Sequence, residues 1–267
     1  MYILRRLAVR ATLARLLLGC ASVMAMTMPI RTEAQQAEPA GPPGWIFSIT
    51  PYLWMSAISG TLDTKRGGDA SFDQSFGDVL NKLHGMPFMG TAEAQYGRFS
   101  IIGDILYLPV GVELHPRQGA FVTGSVNINT TIGTTAGFYR VVQTGENSID
   151  IGGGVRAYGV SNMLSLRNQR GSRSFSTWSA WADPLIALRA HTDFGGGLGA
   201  SFYGDVGGFG AGSKLSWQII GSLDYQLTAA IALRVGYRYL AVNLEHQRDI
   251  TFDMQIGGPF LAATFRF

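Results

Sequence analysis

From Ile231 to Tyr239 the apolar side chains Ile231, Leu233, Val235, Tyr237 and Tyr239 take every second position, while Arg234 and Arg238 fall between them. Period-two alternation marks a strand that turns one face to apolar surroundings and the other to something polar. The pattern recurs along most of the chain. Other candidate strands span about 44–57, 86–96, 98–110, 122–142, 148–163, 178–191, 197–207, 214–227 and 250–267, making ten. No apolar run is long enough for a membrane helix of ~20 residues. Many alternating strands without such a helix predict an all-β, transmembrane antiparallel barrel of about ten strands, with eight or twelve as alternatives.

The connections alternate as well. Those around Gly97, Gly145, Gly195 and Thr228 are short, and those at about 58–85, 111–121, 164–177 and 243–249 are longer. In outer-membrane barrels the short turns are periplasmic and the longer loops outer. The alternation in the last strand shifts at Gly257–Gly258, which predicts a bulge there.

The N-terminal segment predicts export. Arg5, Arg6, Arg10 and Arg15 precede an uncharged, mostly apolar run from Leu16 to Ile30, and Thr32 and Ala34 supply small residues before Gln35. Residues 1–34 therefore read as a signal peptide, 35–43 as a flexible lead-in and 44–267 as the barrel. The leader holds five Arg and one Glu, so the remainder carries 16 basic and 17 acidic residues. The sequence pI near 9.1 comes largely from the leader, and no nucleic-acid partner is expected. Cys20 is the only cysteine, so the part after Ala34 can form no disulfide or Cys-based metal site.

The polar face decides which way the barrel is turned. It carries Glu93, Asp104, Asp150, Arg156, Asp183, Arg189, Asp205, Asp224, Arg234, Arg238 and Arg266, both signs together among Gly, Ser and Thr. A water-facing exterior would be rich in Lys, yet Lys occurs only at 65, 82 and 214. The charges are therefore expected to face a narrow lumen in satisfied pairs, because a buried charge needs a partner. The apolar face is expected to meet outer-membrane lipid, with Arg140 its one charged exception. In the fourth strand that face consists of Val126, Ile128, Ile132 and Phe138. Aromatic residues cluster near strand ends (Trp45, Tyr96, Phe99, Tyr225, Phe265 and Phe267 at the short-turn side; Trp217 and Tyr239 at the other), as in interfacial girdles.

Ser75–Leu83, Tyr96-Gly97-Arg98, Asp104–Tyr107, Trp181-Ala182-Asp183-Pro184, Gly204–Ser213, Trp217-Gln218 and Gly236–Leu240 together resemble a widespread group of small outer-membrane β-barrel proteins of Gram-negative bacteria. The resemblance covers nearly all of the chain after the leader. It implies this fold and location, and that Phe267 is the terminal aromatic read by the barrel-assembly machinery. It implies no common activity. A departure is His84-Gly85-Met86-Pro87, which is expected to end the preceding helix early.

Phe72, Phe76, Val79, Leu80 and Leu83 have helical spacing inside the first long connection, predicting a short helix over about 72–84. Gly207–Lys214 is Gly-rich but lacks the Gly-Lys-Ser/Thr order of a phosphate loop, and reads as a hairpin. His84, His115, His191 and His246 share no metal-ligand spacing. His115 and His246, near Glu113, Glu245 and Asp249, are the residues an outer-lip hydrolase would use, though no nucleophile motif accompanies them. No catalytic, metal or cofactor site is expected. The leading expectation is a non-enzymatic barrel with a structural or surface-interaction role. A narrow passive channel lined by the inward charges is the alternative, and a lip-sited hydrolase comes third.

Overall fold

Every backbone N–H and C=O that meets lipid must be bonded within the protein, and the strands of this chain satisfy that requirement by closing on themselves. The computed structural model describes residues 44–64, 68–114, 123–168, 171–246 and 250–267. Ten strands form the barrel: β1 (Trp45–Trp54), then β4 (Phe88–Tyr96), β5 (Phe99–Leu114), β6 (Thr123–Thr144), β7 (Asn147–Asn168), β8 (Gly171–Gly195), β9 (Leu198–Gly207), β10 (Leu215–Thr228), β11 (Ile231–His246) and β12 (Ile250–Arg266). Each pairs antiparallel with the next, and β1 pairs with β12 to close the ring. Two further strands, β2 (Ala57–Thr64) and β3 (Gly68–Gln74), form a hairpin within the first long connection, followed by helix α1 (Phe76–Asn81).

The tight turns at one end need left-handed backbone, which Gly97 (φ 56°) and Gly145 (φ 59°) supply. Alternate side chains on the outer surface, among them Ile49, Ile105, Val155, Ile186, Leu223 and Leu261, stand exposed. On a closed barrel this belt is the lipid-facing surface, and it places the chain in the outer membrane.

The wall is uneven in height. A tilted strand crosses the bilayer in about 9–11 residues, yet β6 and β7 have 22 residues each and β8 has 25, while β9 has 10. The excess lies at the end away from the short turns, the outer end. There β6, β7 and β8 rise as a ribbon beside a low rim at β9 and β10.

Four features differ from the sequence reading. The stretch 58–85 holds the β2–β3 hairpin as well as a helix. That helix covers only Phe76–Asn81; Phe72 belongs to β3, and Leu83 bridges to Val110 on β5. Ser75 caps α1 with a reciprocal Ser75–Asp78 capping box, which fixes its start four residues later than the apolar spacing alone. The expected bulge at Gly257–Gly258 is absent from the β11–β12 ladder, where Tyr239↔Gly257 and Arg238↔Gly258 stay in register. The irregularity falls on the facing chain at Met55–Ser56, between β1 and β2. A Cβ on Gly258 would lie 2.1 Å from the Met55 carbonyl oxygen, so the close approach requires glycine.

The fourth difference concerns β6. Ile132 and Phe138, assigned above to the lipid face, are buried inside the barrel with Thr134 and Ala136, while Thr135, Gly137 and Tyr139 face outward. Ile132 joins one buried apolar cluster and Ala136 and Phe138 another, so the rule that only polar residues point inward fails for this strand. Arg140 follows the same parity and therefore points inward, not toward lipid.

Close strand packing makes a specific prediction. A Cβ on Gly154 would lie 2.0 Å from the Thr135 carbonyl oxygen and 2.6 Å from Ala136 Cα, whereas one on Gly103 would meet nothing within 4 Å. Gly154→Ala is expected to cost about 1–3 kcal/mol of overpacking strain and to lower the temperature at which the barrel band is lost on a heat-modifiability gel. Gly103→Ala should leave that temperature unchanged.

Candidate functional site

Inside the barrel, two layers of different chemistry are stacked along the axis. Toward the outer end, strands all round the barrel contribute apolar side chains. Trp54 from β1, Leu106 and Leu108 from β5, Ile132 from β6, Leu240 from β11 and Ile256 from β12 are all buried in one cluster. Val79 of α1, 5% exposed, joins this cluster. Lys82 and His84 bond the β5 backbone (Gly111 N to Lys82 O, 2.7 Å; His84 N to Pro109 O, 3.3 Å), holding the end of α1 against the wall. Tyr158 stacks on Trp181 with ring centroids 4.9 Å apart at the edge of the layer.

Below it lies a charged layer in which most charges meet a partner from another strand. Arg238 donates to Asp104 Oδ1 (2.9 Å), to the Tyr52 hydroxyl (2.7 Å) and to Gln218 Oε1 (3.0 Å). Tyr52 and Thr91 donate in turn to Asp104 Oδ2, each at 2.9 Å. The Arg238 guanidinium also lies over the Trp54 ring, 4.8 Å from its centroid, joining the two layers. Arg156 is 0% exposed, donates through both terminal nitrogens to Asp205, and donates through Nε to Thr134 (3.1 Å). Gln218 also reaches Asp205, at 3.4 Å. Arg189 bridges Glu93 and Asp150, both at 2.8 Å, donates to Ser100 and covers Phe138. Arg140 donates to the other oxygen of Asp150 at 2.9 Å.

Asp224 accepts from Ser201 and Ser222. Arg234 Nε lies 3.3 Å from Asp224 Oδ1, a charge contact without the alignment of a hydrogen bond, and His191 Nδ1 lies 3.7 Å from Asp224 Oδ2. Arg266 lines the cavity below without an ion pair among the described residues.

Asp183 does not form the expected ion pair. It stands opposite Arg156 in the β7–β8 register, but Arg156 turns to Asp205. Asp183 is 0% exposed; its Oδ1 accepts from the Ser213 backbone N–H at 2.6 Å, and its Oδ2 has no partner among the described residues. The β9–β10 turn delivers that N–H. Gly208 and Gly210 adopt positive φ there, and Trp181 Nε1 donates to Ser213 Oγ at 3.0 Å. This hairpin is what the Gly207–Lys214 run builds.

A cavity of about 440 Å³ opens toward the short turns, where Ser48, Glu146 and Arg266 line it, and reaches up among the charged side chains as far as Asp104, Arg189 and Arg238. The lumen is thus a water-accessible vestibule on the periplasmic side, walled in its inner part by the paired charges and closed above them by an apolar seal. The alternation puts Tyr52 and Gln218 on polar faces, as the structure does, and Arg140 on the apolar face, where it is not; it gives no sign that inward-facing apolar residues such as Trp54, Leu108 and Leu240 form a layer of their own.

Among the described residues no group of three His, Cys, Asp or Glu is placed to hold a metal ion. His115 and Asp249 lie outside the described residues.

No protein-family model and no curated protein sequence matches the chain. Solved structures do. The outer membrane protease OmpT from Escherichia coli superposes with a TM-score of 0.53 at 9% identity, covering 84% of this chain and 97% of that one. The translocator domain of autotransporter NalP from Neisseria meningitidis gives 0.40 at 12% identity, covering 97% and 98%. Ail, the attachment invasion locus protein of Yersinia pestis, gives 0.34 at 10%, covering 85% and 100%. At these identities the likeness to OmpT is one of fold.

Two predictions follow from the site's electrostatics. Arg238→Leu strands Asp104 inside the barrel and is expected to cost about 3–5 kcal/mol in urea unfolding of the folded barrel in detergent; adding Asp104→Leu should restore much of that loss. At the outer end, the Ser75 hydroxyl and backbone N–H both donate to the Asp78 carboxylate (2.6 and 3.0 Å) and hold its pKa below the ordinary carboxylate range. The cap is therefore complete above that range and lost as pH falls through the lowered value. Ser75→Ala should move the Asp78 titration upward in an NMR pH series.

Proposed function

We propose that this chain is a non-enzymatic outer-membrane barrel that serves as a rigid base for surface interactions. One observation carries the reading: the lumen is filled across its width. Side chains from β1, β5, β6, β11 and β12, with Val79 from α1, meet in the apolar layer, and the charges below are mostly committed to one another. A pore needs a continuous polar path in which binding is weak enough for release. Arginines bonded to two or three acceptors and capped by tightly packed apolar side chains suit a stiff plug instead. A ten-stranded barrel is also narrow, since open aqueous channels belong to barrels of about sixteen strands. The chain length left over is spent at the outer end, on the β6–β7–β8 ribbon and the β2–β3 hairpin.

The protease name of one structural neighbour suggests no reaction for this chain, because at 9% identity the two share a fold. The lip-hydrolase alternative rests on His115 and His246, and His115→Ala with His246→Ala tests it against any hydrolysis detected.

The refolded barrel, verified by its heat-shifted gel band, is expected to give no discrete single-channel openings in a planar bilayer. Stable openings altered by neutralising Arg234 or Asp224 would contradict the reading and favour a narrow passive channel.

A further inference from the structure

The tall β8 strand has a partner on only one side over its outer half. β7 pairs with it from His191 up to Gly171, but β9 pairs with it only from Gly195 to Leu185, where β9 ends. The β9–β10 turn adds one more bond, from Gly208 N to the Pro184 carbonyl at 3.0 Å. That bond fixes which backbone groups face the open side. Since the backbone groups of successive residues point to opposite edges, Ala182, Ala180, Trp178, Ser176 and Ser174 turn their N–H and C=O the same way as Pro184. Above Pro184 none of them has a backbone hydrogen-bond partner on that side among the described residues; the β9–β10 turn still lies against Ala182, where a Cβ on Gly212 would come within 2.5 Å of its carbonyl oxygen, so the clear edge is Ser174–Ala180.

Natural sheets blunt such edges with charges, prolines, bulges or short strands. Ser174–Ala182 has no charged residue, no Pro and no Gly, and the β7–β8 register runs through it without a shift. It is rich in Ser, Thr and aromatic residues. Phe175 (57% exposed) stands on one face and Trp178 (72%) on the other. Its base is fixed, because Trp181 is stacked on Tyr158 and bonded to Ser213. The strand is therefore anchored and already extended, so a partner would meet little ordering cost on the barrel's side.

We propose that the open edge of β8 at Ser174–Ala180 is a strand-addition site at the outer end, taking an extended, uncharged polypeptide segment from another protein. Only a β-strand offers alternating acceptors and donors that match a bare ladder edge, and the apolar side chains on both faces would select aromatic or β-branched residues at alternate positions of the partner. The absence of charge on the edge selects against a charged segment, which would lose its solvation there with no counter-charge. The proposal rests on the surface-interaction reading above and gives it a partner class.

The test uses the refolded barrel in detergent and a fluorophore-labelled peptide copying Ser174–Ala182. Paired antiparallel about Trp178, this peptide sets Phe175 opposite Trp181 and small residues opposite small ones. Ser176→Pro with Ala180→Pro removes two N–H groups from the open edge and none from the β7 ladder, so the barrel's heat-shifted band should persist. Saturable binding by fluorescence anisotropy, weakened at least tenfold in the double-proline variant and in a peptide N-methylated at alternate residues, is the expected result. No saturable binding would overturn the proposal. So would equal binding by the double-proline variant with loss only on Trp178→Ala, which would make Trp178 an apolar anchor. Self-association of the barrel that the prolines abolish would also overturn it, in favour of a second copy of this chain. Ion conductance by a barrel that still binds through the edge would contradict the surface-interaction reading and leave this site standing.

Discussion

The ring of backbone hydrogen bonds is the constraint from which the rest follows. It is completed where the two ends of the barrel sequence meet. Phe267 N donates to the Phe47 carbonyl at 2.9 Å and Phe47 N to the Phe267 carbonyl at 3.2 Å, next to the Ser48↔Arg266 and Ile49↔Phe265 pairs. Without that seam the barrel has two edges in lipid, each a row of unpaired polar groups. Closure at ten strands also fixes the interior, which is narrow enough for side chains to fill its width at the apolar layer.

How it is filled explains the distribution of charge. A guanidinium in so confined a space is tolerable only with several acceptors, and Arg156, Arg189 and Arg238 each have them from strands well separated in sequence. Their partners come from neighbouring and opposite walls, so the pairs tie the barrel across its width as well as neutralise charge. Above them the apolar layer keeps water out from the outer side, and the Arg156–Asp205 pair, 0% exposed at both side chains, gains most from the low local dielectric.

Much of the architecture was legible because strand parity is local information. The Arg234–Arg238 alternation marks β11, and the short Gly-centred turns mark the periplasmic end. What was not legible depends on what lies across the barrel. Ile132 and Phe138 look like lipid-facing residues until Leu240 and Arg189 are known to face them. Asp183 looks like half of an ion pair, but its acceptor oxygen is taken by a backbone N–H delivered by the β9–β10 turn. The β2–β3 hairpin has few large apolar residues and reads as loop. The open edge of β8 follows from a difference in length between two neighbouring strands, which becomes visible only once the register is known.

The apolar layer shuts the lumen between the periplasmic vestibule and the outer face. Residues 21–267 contain no cysteine, so a single one introduced there can report on each side. Ser222→Cys lies in the vestibule lining and Thr177→Cys on the outer ribbon. In proteoliposomes with the outer loops facing the bulk, a small membrane-impermeant maleimide should label Thr177→Cys and leave Ser222→Cys unmodified until detergent is added. Labelling of Ser222→Cys from the outside at a comparable rate would show an open path through the apolar layer and contradict the account.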